Sequence, residues 1–198
     1  MKKKISQRVS IATRAIHGKK LFAFKGPVAT PIYQTSTYRF KTSEDAIRYA
    51  KGDPSIYVYS RYHNPTVHDV EEKLALVENG EAAAIFASGM AAITTAILTV
   101  TKAGDNIIST PALYGGTYRW MRDELPKQNI NVRFVNPNHL EEIVHLADDR
   151  TTIVYIETPT NPTLTIVDIA EVVRQTKKVE KRLSHPILTM IDNTFATI

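Results

Sequence analysis

The sequence predicts an α/β fold, with a mostly parallel sheet that carries helices on both faces and follows an irregular N-terminal arm. From about residue 66 onward, short apolar runs of strand type alternate with segments of helical periodicity, a pattern typical of parallel sheets with helical crossovers. The chain has 198 residues, of which 43% are hydrophobic and 23% charged. This composition is that of a globular protein with one substantial core.

Residues 1–66 are predicted to form the arm, because they show little periodicity and contain repeated breakers such as Asn64-Pro65. One short helix is predicted at residues 43–50, with Ser43 as its N-cap. So irregular a segment rarely forms a domain of its own. We therefore expect an arm that contacts a neighbouring subunit, and a segment wrapped over its own core is the alternative that the pattern leaves open.

Residues 67–198 are predicted to form the α/β domain. Its first helix carries apolar residues at helical spacing and stops at Asn79-Gly80. Strands are predicted at residues 82–87, 106–109, 132–135, 153–156 and 187–191. Helices are predicted between them at residues 90–100, 117–125, 140–146 and 168–183.

Composition and motifs exclude several classes of function. The chain has no cysteine, so disulfides, thiolate metal sites and a cysteine nucleophile are excluded. Its glycines form neither the dinucleotide nor the P-loop pattern, and the G-x-S-x-G motif of hydrolases is absent. The six histidines form no metal-binding pattern; His139 and His145 are six residues apart, and His63 and His68 are badly phased on a helix. No metal site is predicted.

Charge and hydropathy indicate a cytoplasmic protein without a nucleic-acid or membrane partner. The net charge of +5 comes from scattered basic residues, whereas nucleic-acid binders concentrate them on one face. The lysines at residues 2–4 are expected to form a solvated terminus. No apolar stretch is long enough to span a bilayer, and residues 1–18 lack the apolar centre of a secretory signal.

Polar motifs follow the predicted strands at the edge where open parallel sheets build their sites. Ser88-Gly89-Met90 lies between a strand and a helix N-terminus, whose free N–H groups favour an anion such as phosphate. Tyr114-Gly115-Gly116 places an aromatic ring beside two glycines, where it could lie flat against a planar ligand. An ordinary tight turn and a packed tyrosine are the respective alternatives.

Two further loops and an arginine complete this set of polar motifs. Residues 157–162 (ETPTNP) present polar side chains on a proline-stiffened loop, which could also be a plain turn. Asp192 ends an apolar strand, where an unpaired carboxylate would be costly; it would either hold a proton on a heteroaromatic nitrogen or cap a following helix. Arg61 offers a fork that suits phosphate or carboxylate.

These motifs in this order resemble the pyridoxal-phosphate (PLP) enzymes of cysteine and methionine metabolism. The resemblance extends over nearly the whole chain, and within this family the chain most resembles cystathionine γ-synthases and γ-lyases. Cystathionine β-lyases, methionine γ-lyases and O-acylhomoserine sulfhydrylases share it. The segments that carry it are residues 13–18 (TRAIHG), 31–38 (PIYQTSTY), 59–66 (YSRYHNPT), 88–90 (SGM), 114–119 (YGGTYR), 157–162 (ETPTNP) and 192–197 (DNTFAT).

The resemblance implies a fold type I PLP domain and a role for each of several residues. Gly89 and Met90 would bind the cofactor phosphate, Tyr114 would stack on the ring and assist proton transfer, and Asn161 would lie near the phenolic oxygen. Asp192 would pair with the ring nitrogen. The remaining cofactor-binding residues implied are Tyr59 and Arg61, which would reach a neighbouring subunit of a homotetramer, and Thr194.

The resemblance also implies what this chain does not contain. In the family a Schiff-base lysine and a C-terminal domain follow Asp192, whereas the last lysine here is Lys181. We therefore expect the N-terminal half of an enzyme that acts on a small amino acid such as cystathionine or a homoserine ester, by γ- or β-elimination or replacement. A cysteine typical of methionine γ-lyases is replaced by Gly116, which disfavours that reaction. A different possibility is a noncatalytic fragment that assembles with full-length subunits.

Overall fold

A computed structural model describes residues 10–17 and 29–197. The chain forms two compact units, one up to Ile85 and one from Phe86 to Thr197, and each is described by itself. Predictions for the lysines at residues 2–4, for Gly18 and for residue 198 lie outside the described residues. The contact of the predicted arm with another subunit stays a prediction.

The first unit contains α1 (Ile11–His17), α2 (Ser43–Ala50) and α3 (Pro65–Val77). Helix α2 has the predicted bounds, but its N-cap is Thr42 and not Ser43. The Thr42 hydroxyl accepts the Asp45 N–H at 3.3 Å, and the Asp45 carboxylate accepts the Thr42 N–H at 3.2 Å. This capping box satisfies two backbone donors reciprocally.

The sequence analysis does not predict α1, because seven residues are too few for a periodic pattern to be distinctive. Tertiary contacts within the first unit explain the helix. The Arg14 guanidinium donates to the Leu76 carbonyl and to Asn79 Oδ1, each at 3.0 Å, and thereby ties α1 to the end of α3.

The second unit contains one parallel sheet. Its strands are β1 (Asn106–Ser109), β2 (Asn131–Phe134), β3 (Thr151–Glu157) and β4 (Leu188–Asp192), all within two residues of their predicted bounds. They lie in the order β2-β1-β3-β4, and β1 pairs in parallel with both β2 and β3. The chain therefore changes direction across the sheet between β1 and β3, which makes this the topological switch point.

Helices cover both faces of this sheet, as predicted. Apolar side chains alternate along β1 and β3, so that Ile107 and Ile153 belong to one buried cluster and Ile108 and Val154 to the other. The helices are α4 (Gly89–Val100), α5 (Gly115–Arg119), α6 (Ile143–Leu146) and α7 (Ile169–Leu183). None of the helices in the described ranges is long and apolar enough to cross a membrane.

Two predicted helices are less regular than expected. The segment predicted as one helix at residues 117–125 begins with α5 and continues as a π-helical turn at Trp120–Glu124. Its start is hidden in the sequence because Gly115 and Gly116 are poor helix formers. The segment predicted at residues 140–146 begins as a 3-10 turn at Leu140–Glu142 and then forms α6.

The predicted buried strand at residues 82–87 is wrong. The segment is not paired with any described strand, and Ile85 and Phe86 are 42% and 39% exposed. The Ile85 N–H instead donates to the Glu71 carboxylate at 3.0 Å. An apolar run acquires ladder hydrogen bonds only beside another strand, and the described residues provide none there.

Candidate functional site

A cavity of about 410 Å³ opens at the carboxyl end of the sheet. We call it the carboxyl-end cavity. It lies where β1, β3 and β4 end, beside the topological switch point at which open α/β sheets bind ligands. Its lining comes entirely from the second unit and consists of Ser88, Gly89, Met90, Ile93, Tyr114, Glu157, Asn161, Asp192, Thr194 and Phe195.

The N-terminus of α4 forms one wall of the cavity. Ser88 is its N-cap, and its hydroxyl accepts the Ala91 N–H at 3.1 Å. The N–H groups of Gly89 and Met90 belong to the first turn, where no intrahelical acceptor is available to them. Together with the helix dipole, they make this wall suitable for an anion.

Tyr114 forms a second wall at the start of α5, and its side chain is 48% exposed. Its ring occupies space that only a glycine at position 116 leaves open. A Cβ on Gly116 would lie 2.5 Å from Tyr114 Cε1 and 3.3 Å from the Met90 sulfur. Gly116 therefore leaves the room that the Tyr114 ring occupies, which the sequence pattern suggested only in outline.

Glu157 joins two loops of the site, a role that the sequence analysis does not assign to it. Its Oε2 accepts the Tyr114 N–H at 2.7 Å, and its Oε1 accepts the Asn161 N–H at 2.8 Å. Burial raises the pKa of the Glu157 carboxyl, a nearby Asp192 adds to the rise, and the two N–H donors oppose it. One carboxylate thus holds the loop after β1 to the loop after β3 across the switch point.

Asp192 ends β4 and lies against the same cavity. Its Oδ1 accepts the Thr194 N–H at 3.1 Å and the Thr194 hydroxyl at 2.5 Å. The alternative that Asp192 caps a following helix is wrong for the residues described up to Thr197, which form a turn. The carboxylate closes this turn and keeps one side toward the cavity.

Tyr155 approaches Asp192 from the core of the sheet. Its hydroxyl donates to Asp192 Oδ2 at 3.1 Å, and the residue is only 3% exposed. Burial and the neighbouring Asp192 raise the pKa of the Tyr155 phenol far above its ordinary value. Tyr155 is absent from the predicted site residues, although a tyrosine in the middle of a buried strand signals a hydroxyl that must find a partner.

The structure brings six of the eight predicted site residues to the carboxyl-end cavity: Gly89, Met90, Tyr114, Asn161, Asp192 and Thr194. Tyr59 and Arg61 belong to the first unit. There the Arg61 guanidinium lies 5.0 Å from the centre of the Tyr59 ring and 5.3 Å from that of Tyr62. The arginine is exposed and lies over two neighbouring tyrosine rings.

The expectation that His63 and His68 point in different directions is also wrong. Their ring centres are 4.7 Å apart, and their ligand-capable atoms lie within 4.8 Å of each other and of a Glu71 oxygen. Helical phase does not apply to this pair, because α3 begins at Pro65 and its N-cap is Asn64. Burial and the adjacent His68 lower the pKa of His63.

Comparison with known proteins gives this site a context. Residues 12–198 match the family described as Cys/Met metabolism PLP-dependent enzyme. An L-methionine gamma-lyase from Porphyromonas gingivalis is 42% identical over 197 residues, which are 100% of this chain and 48% of that protein. The chain spans about half the length of the curated relatives it matches.

Solved structures agree with this match. A crystal structure assigned to an O-acetylhomoserine (thiol)-lyase from Campylobacter jejuni, which contains a pyridoxyl-lysine monophosphate, has a TM-score of 0.83 and 30% identity, covering 94% of this chain and 44% of its own. Cystathionine gamma-lyase from Lactobacillus plantarum, solved with L-serine, has a TM-score of 0.80 and 35% identity, covering 96% of this chain and 46% of its own. The predicted fold type I architecture is thereby confirmed.

The groups around the carboxyl-end cavity fit PLP. That cofactor carries an anionic phosphate and a planar ring whose nitrogen can be protonated. The cavity presents the N-terminus of α4, the Tyr114 ring and the Asp192 carboxylate, which suit the phosphate, the ring face and a cationic nitrogen respectively. Its volume also lies within the range usual for small-molecule sites.

Proposed function

The chain belongs to the Cys/Met metabolism family of PLP-dependent enzymes, and from this premise we propose that the polypeptide carrying it acts on sulfur amino acids. The proposed reaction is γ- or β-elimination or replacement on cystathionine, a homoserine ester or a related substrate. The observation that carries the proposal is that Asp192 and the N-terminus of α4 line one cavity. This pair is what a ligand with an anionic and a cationic end requires.

Each residue of the cavity then has a task. The N–H groups of Gly89 and Met90 bind the phosphate, the Tyr114 ring lies against the pyridine ring, and Asn161 lies near its phenolic oxygen. Asp192 holds a proton on the ring nitrogen. When bound, PLP withdraws electrons from the substrate's α carbon; Tyr114 also assists proton transfer at the substrate.

Thr194 and Glu157 support these groups without themselves reacting. Thr194 donates to Asp192 and fixes the carboxylate on β4. The Glu157 carboxylate accepts the backbone N–H groups of Tyr114 and Asn161 and thereby fixes the distance between the loops that carry them. Fixed donors and charges act on a reacting group without the cost of reorganising at each turnover.

We further propose a homotetramer, built from dimers, in which Tyr59 and Arg61 of one subunit reach the phosphate of a neighbour. The support is that Arg61 is exposed and lies over two tyrosine rings in the first unit, where its fork can meet a phosphate. A location in the cytoplasm belongs to the same proposal.

The test uses the polypeptide that carries this sequence and PLP, either with L-cystathionine alone or with O-acetyl-L-homoserine and L-cysteine, whose thiol replaces the acetate. Mass spectrometry detects both the 2-oxo acid of an elimination and the thioether of a replacement. We expect one of these products, and we expect Asp192→Ala to lose it. A polypeptide that binds PLP but releases no product from L-cystathionine, L-methionine or O-acetyl-L-homoserine would refute the proposal.

Methionine γ-elimination is the second candidate, favoured by the 42% identity to an L-methionine gamma-lyase. Gly116 argues against this candidate, because methionine γ-lyases typically carry a cysteine at this position. A side chain there would collide with the Tyr114 ring as it lies here. The rates of methanethiol release from L-methionine and of 2-oxo acid release from L-cystathionine separate the candidates. A faster reaction with methionine would establish the second one.

A further inference from the structure

The side of Asp192 that faces the core contacts a buried phenol. Tyr155 lies in β3 and Asp192 in β4, two strands that pair in parallel. The Tyr155 hydroxyl donates to Asp192 Oδ2 at 3.1 Å, and its ring belongs to the buried cluster on one face of the sheet. Because the ring is held by packing, the hydroxyl is held in place as well.

The other oxygen of Asp192 is held from the opposite direction. Thr194 donates both its N–H and its hydroxyl to Oδ1. Both oxygens therefore accept a hydrogen bond from the protein, one from a rigid strand and one from a turn. Hydrogen bonds to a carboxylate favour its charged form over its protonated form.

We propose that Tyr155 is a positioning residue, which holds Asp192 Oδ2 and turns the carboxylate toward the cofactor, so that the shared proton stays on the ring nitrogen. The inference rests on the proposed function, since it needs the ring in the carboxyl-end cavity. Without the phenol, Oδ2 has lost one donor and competes more strongly for the proton. The ring nitrogen then carries less positive charge.

The burial of Tyr155 determines how its hydroxyl can interact with Asp192. Burial and the neighbouring Asp192 raise the pKa of Tyr155 above its ordinary value, so the phenol is protonated at neutral pH and donates to Asp192. A phenylalanine at this position fills almost the same volume and removes only the hydroxyl. The substitution therefore isolates the hydrogen bond from the packing of the ring.

The test is nitrogen NMR of pyridoxamine 5′-phosphate labelled with ¹⁵N in the ring and bound to the full chain. This probe cannot react with lysines, and its nitrogen resonance reports the protonation of the ring directly. We expect a protonated nitrogen in the wild-type chain. In Tyr155→Phe we expect the resonance to move toward that of the neutral ring, while affinity falls by less than about tenfold, the size of one hydrogen bond.

Matched variants separate this role from a loss of structure. Tyr118→Phe changes a partly buried tyrosine that packs against the same cluster as Tyr155 and has no contact with Asp192, and should leave the resonance unchanged. Thr194→Val removes a donor from an exposed turn and should shift the resonance in the same direction as Tyr155→Phe. Thr194→Ser keeps the hydroxyl and should restore the wild-type position.

The possible failures are distinguishable. A wild-type chain that binds no pyridoxamine 5′-phosphate, or binds it with a neutral ring nitrogen, contradicts the proposed function and with it the role of Tyr155. A wild-type chain with a protonated ring and an identical resonance in Tyr155→Phe contradicts only the positioning role of Tyr155, whatever Thr194→Val shows.

Discussion

The two ends of the parallel sheet carry similar polar side chains but use them differently. At the amino end, the Asn106 amide donates to Asp148 Oδ1 at 2.7 Å and its oxygen accepts the Thr151 hydroxyl at 2.7 Å. The Arg133 guanidinium donates to the other Asp148 oxygen at 2.5 Å. These polar groups are paired with one another, and the network ties together the starts of β1 and β3.

At the carboxyl end, Glu157 and Asp192 also accept hydrogen bonds from the protein, but both line the cavity. Their donors are mostly backbone N–H groups and hydroxyls, and no described arginine or lysine forms an ion pair with either carboxylate. The comparison teaches that a buried polar group is insufficient as a sign of function. At the amino end, a carboxylate paired with an arginine holds the strands together. At the carboxyl end, carboxylates that have no such cation among the described residues face the cavity, where they can bind a ligand.

The largest expected effect is at the carboxyl end. Asp192→Ala should lower turnover of the polypeptide by about 10²–10³-fold, the size seen when one preorganised charge is removed from a site. Because Asp192 is only partly buried, we expect its melting temperature to change by no more than about 4 °C. Asp149→Ala, at an exposed aspartate near the amino end, is the control and should keep full turnover. Equal turnover in the two variants would contradict the assignment of ligand binding to the carboxyl end of the sheet.

The next effect is on stability at the amino end. Asn106→Ala leaves the buried Thr151 hydroxyl without its acceptor and removes one of the donors to Asp148 Oδ1, which keeps the Arg150 N–H, so the free energy of unfolding should fall by about 1–3 kcal/mol. Its register partner Asn131 is exposed, and Asn131→Ala should change stability by about 0.5 kcal/mol at most. Denaturant unfolding measures both variants. A loss of PLP affinity in Asn106→Ala at temperatures where it is folded would contradict the assignment of this end to cohesion.

A smaller effect is expected for the carboxylate that joins the two loops. Glu157→Gln keeps one acceptor oxygen but turns an amide group toward the Tyr114 or the Asn161 N–H. We expect PLP affinity to fall by about tenfold, equivalent to about 1.4 kcal/mol, as measured by equilibrium titration. Glu142→Gln, at an exposed position, is the control. Unchanged affinity together with reduced stability would show that Glu157 serves cohesion, as the amino-end groups do.

Adjacent glycines provide a finer test of the cavity wall. Gly116→Ala places a Cβ 2.5 Å from Tyr114 Cε1, whereas a Cβ on Gly115 meets nothing within 4 Å. We expect a few-fold loss of PLP affinity for Gly116→Ala, since overpacking of this kind costs about 1–3 kcal/mol and the ring can give way in part. Gly115→Ala should bind as the wild type does. Equal affinities would mean that the Tyr114 ring position is unimportant.

The smallest effect is a difference in how stability depends on pH. At Asp148, burial opposes ionisation, but donors from Arg133, Arg150 and Asn106 outweigh it and lower the pKa below the ordinary 3.8. The unfolded chain then binds more protons in the window below pH 3.8, so this contribution to stability is present above that pH and is lost as pH falls through the folded pKa.

The contribution of Glu157 to stability changes with pH in the opposite direction. Its folded pKa is raised above the ordinary 4.5, first by burial, so the folded chain binds more protons as pH rises from 4.5 to the folded pKa. Stability from this group therefore falls across that window. Denaturant unfolding as a function of pH should show that Asp148→Asn removes the acid-side rise and Glu157→Gln the later fall. Slopes of the same sign at the two groups would contradict the comparison.

Local patterns predicted most of the second unit and most of its site. The strands from β1 to β4 have strong apolar runs, and α7 has both an apolar face and an Asp168 N-cap. Tyr114, Asn161 and Asp192 could be placed at one edge because they follow or end β1, β3 and β4, and the carboxyl ends of parallel strands share that edge. The apolar run at residues 82–87 failed because strand formation depends on a neighbour and not on composition.

The residues that sequence reasoning missed act through partners that are distant in the chain. Glu157 holds Tyr114, which is 43 residues away, and Tyr155 contacts Asp192, which is 37 residues away. His63 and His68 meet because the helix begins between them. Spacing along one element carries no information on such contacts, so only the order of the strands in the sheet could have suggested them.

The most direct test of the central claim is a crystal structure of the chain with pyridoxal 5′-phosphate. The account predicts the ring in the carboxyl-end cavity, with its nitrogen about 2.7–2.9 Å from the Asp192 carboxylate and its phosphate at the N–H groups of Gly89 and Met90. A phosphate bound elsewhere, or a ring nitrogen that does not contact Asp192, would contradict it.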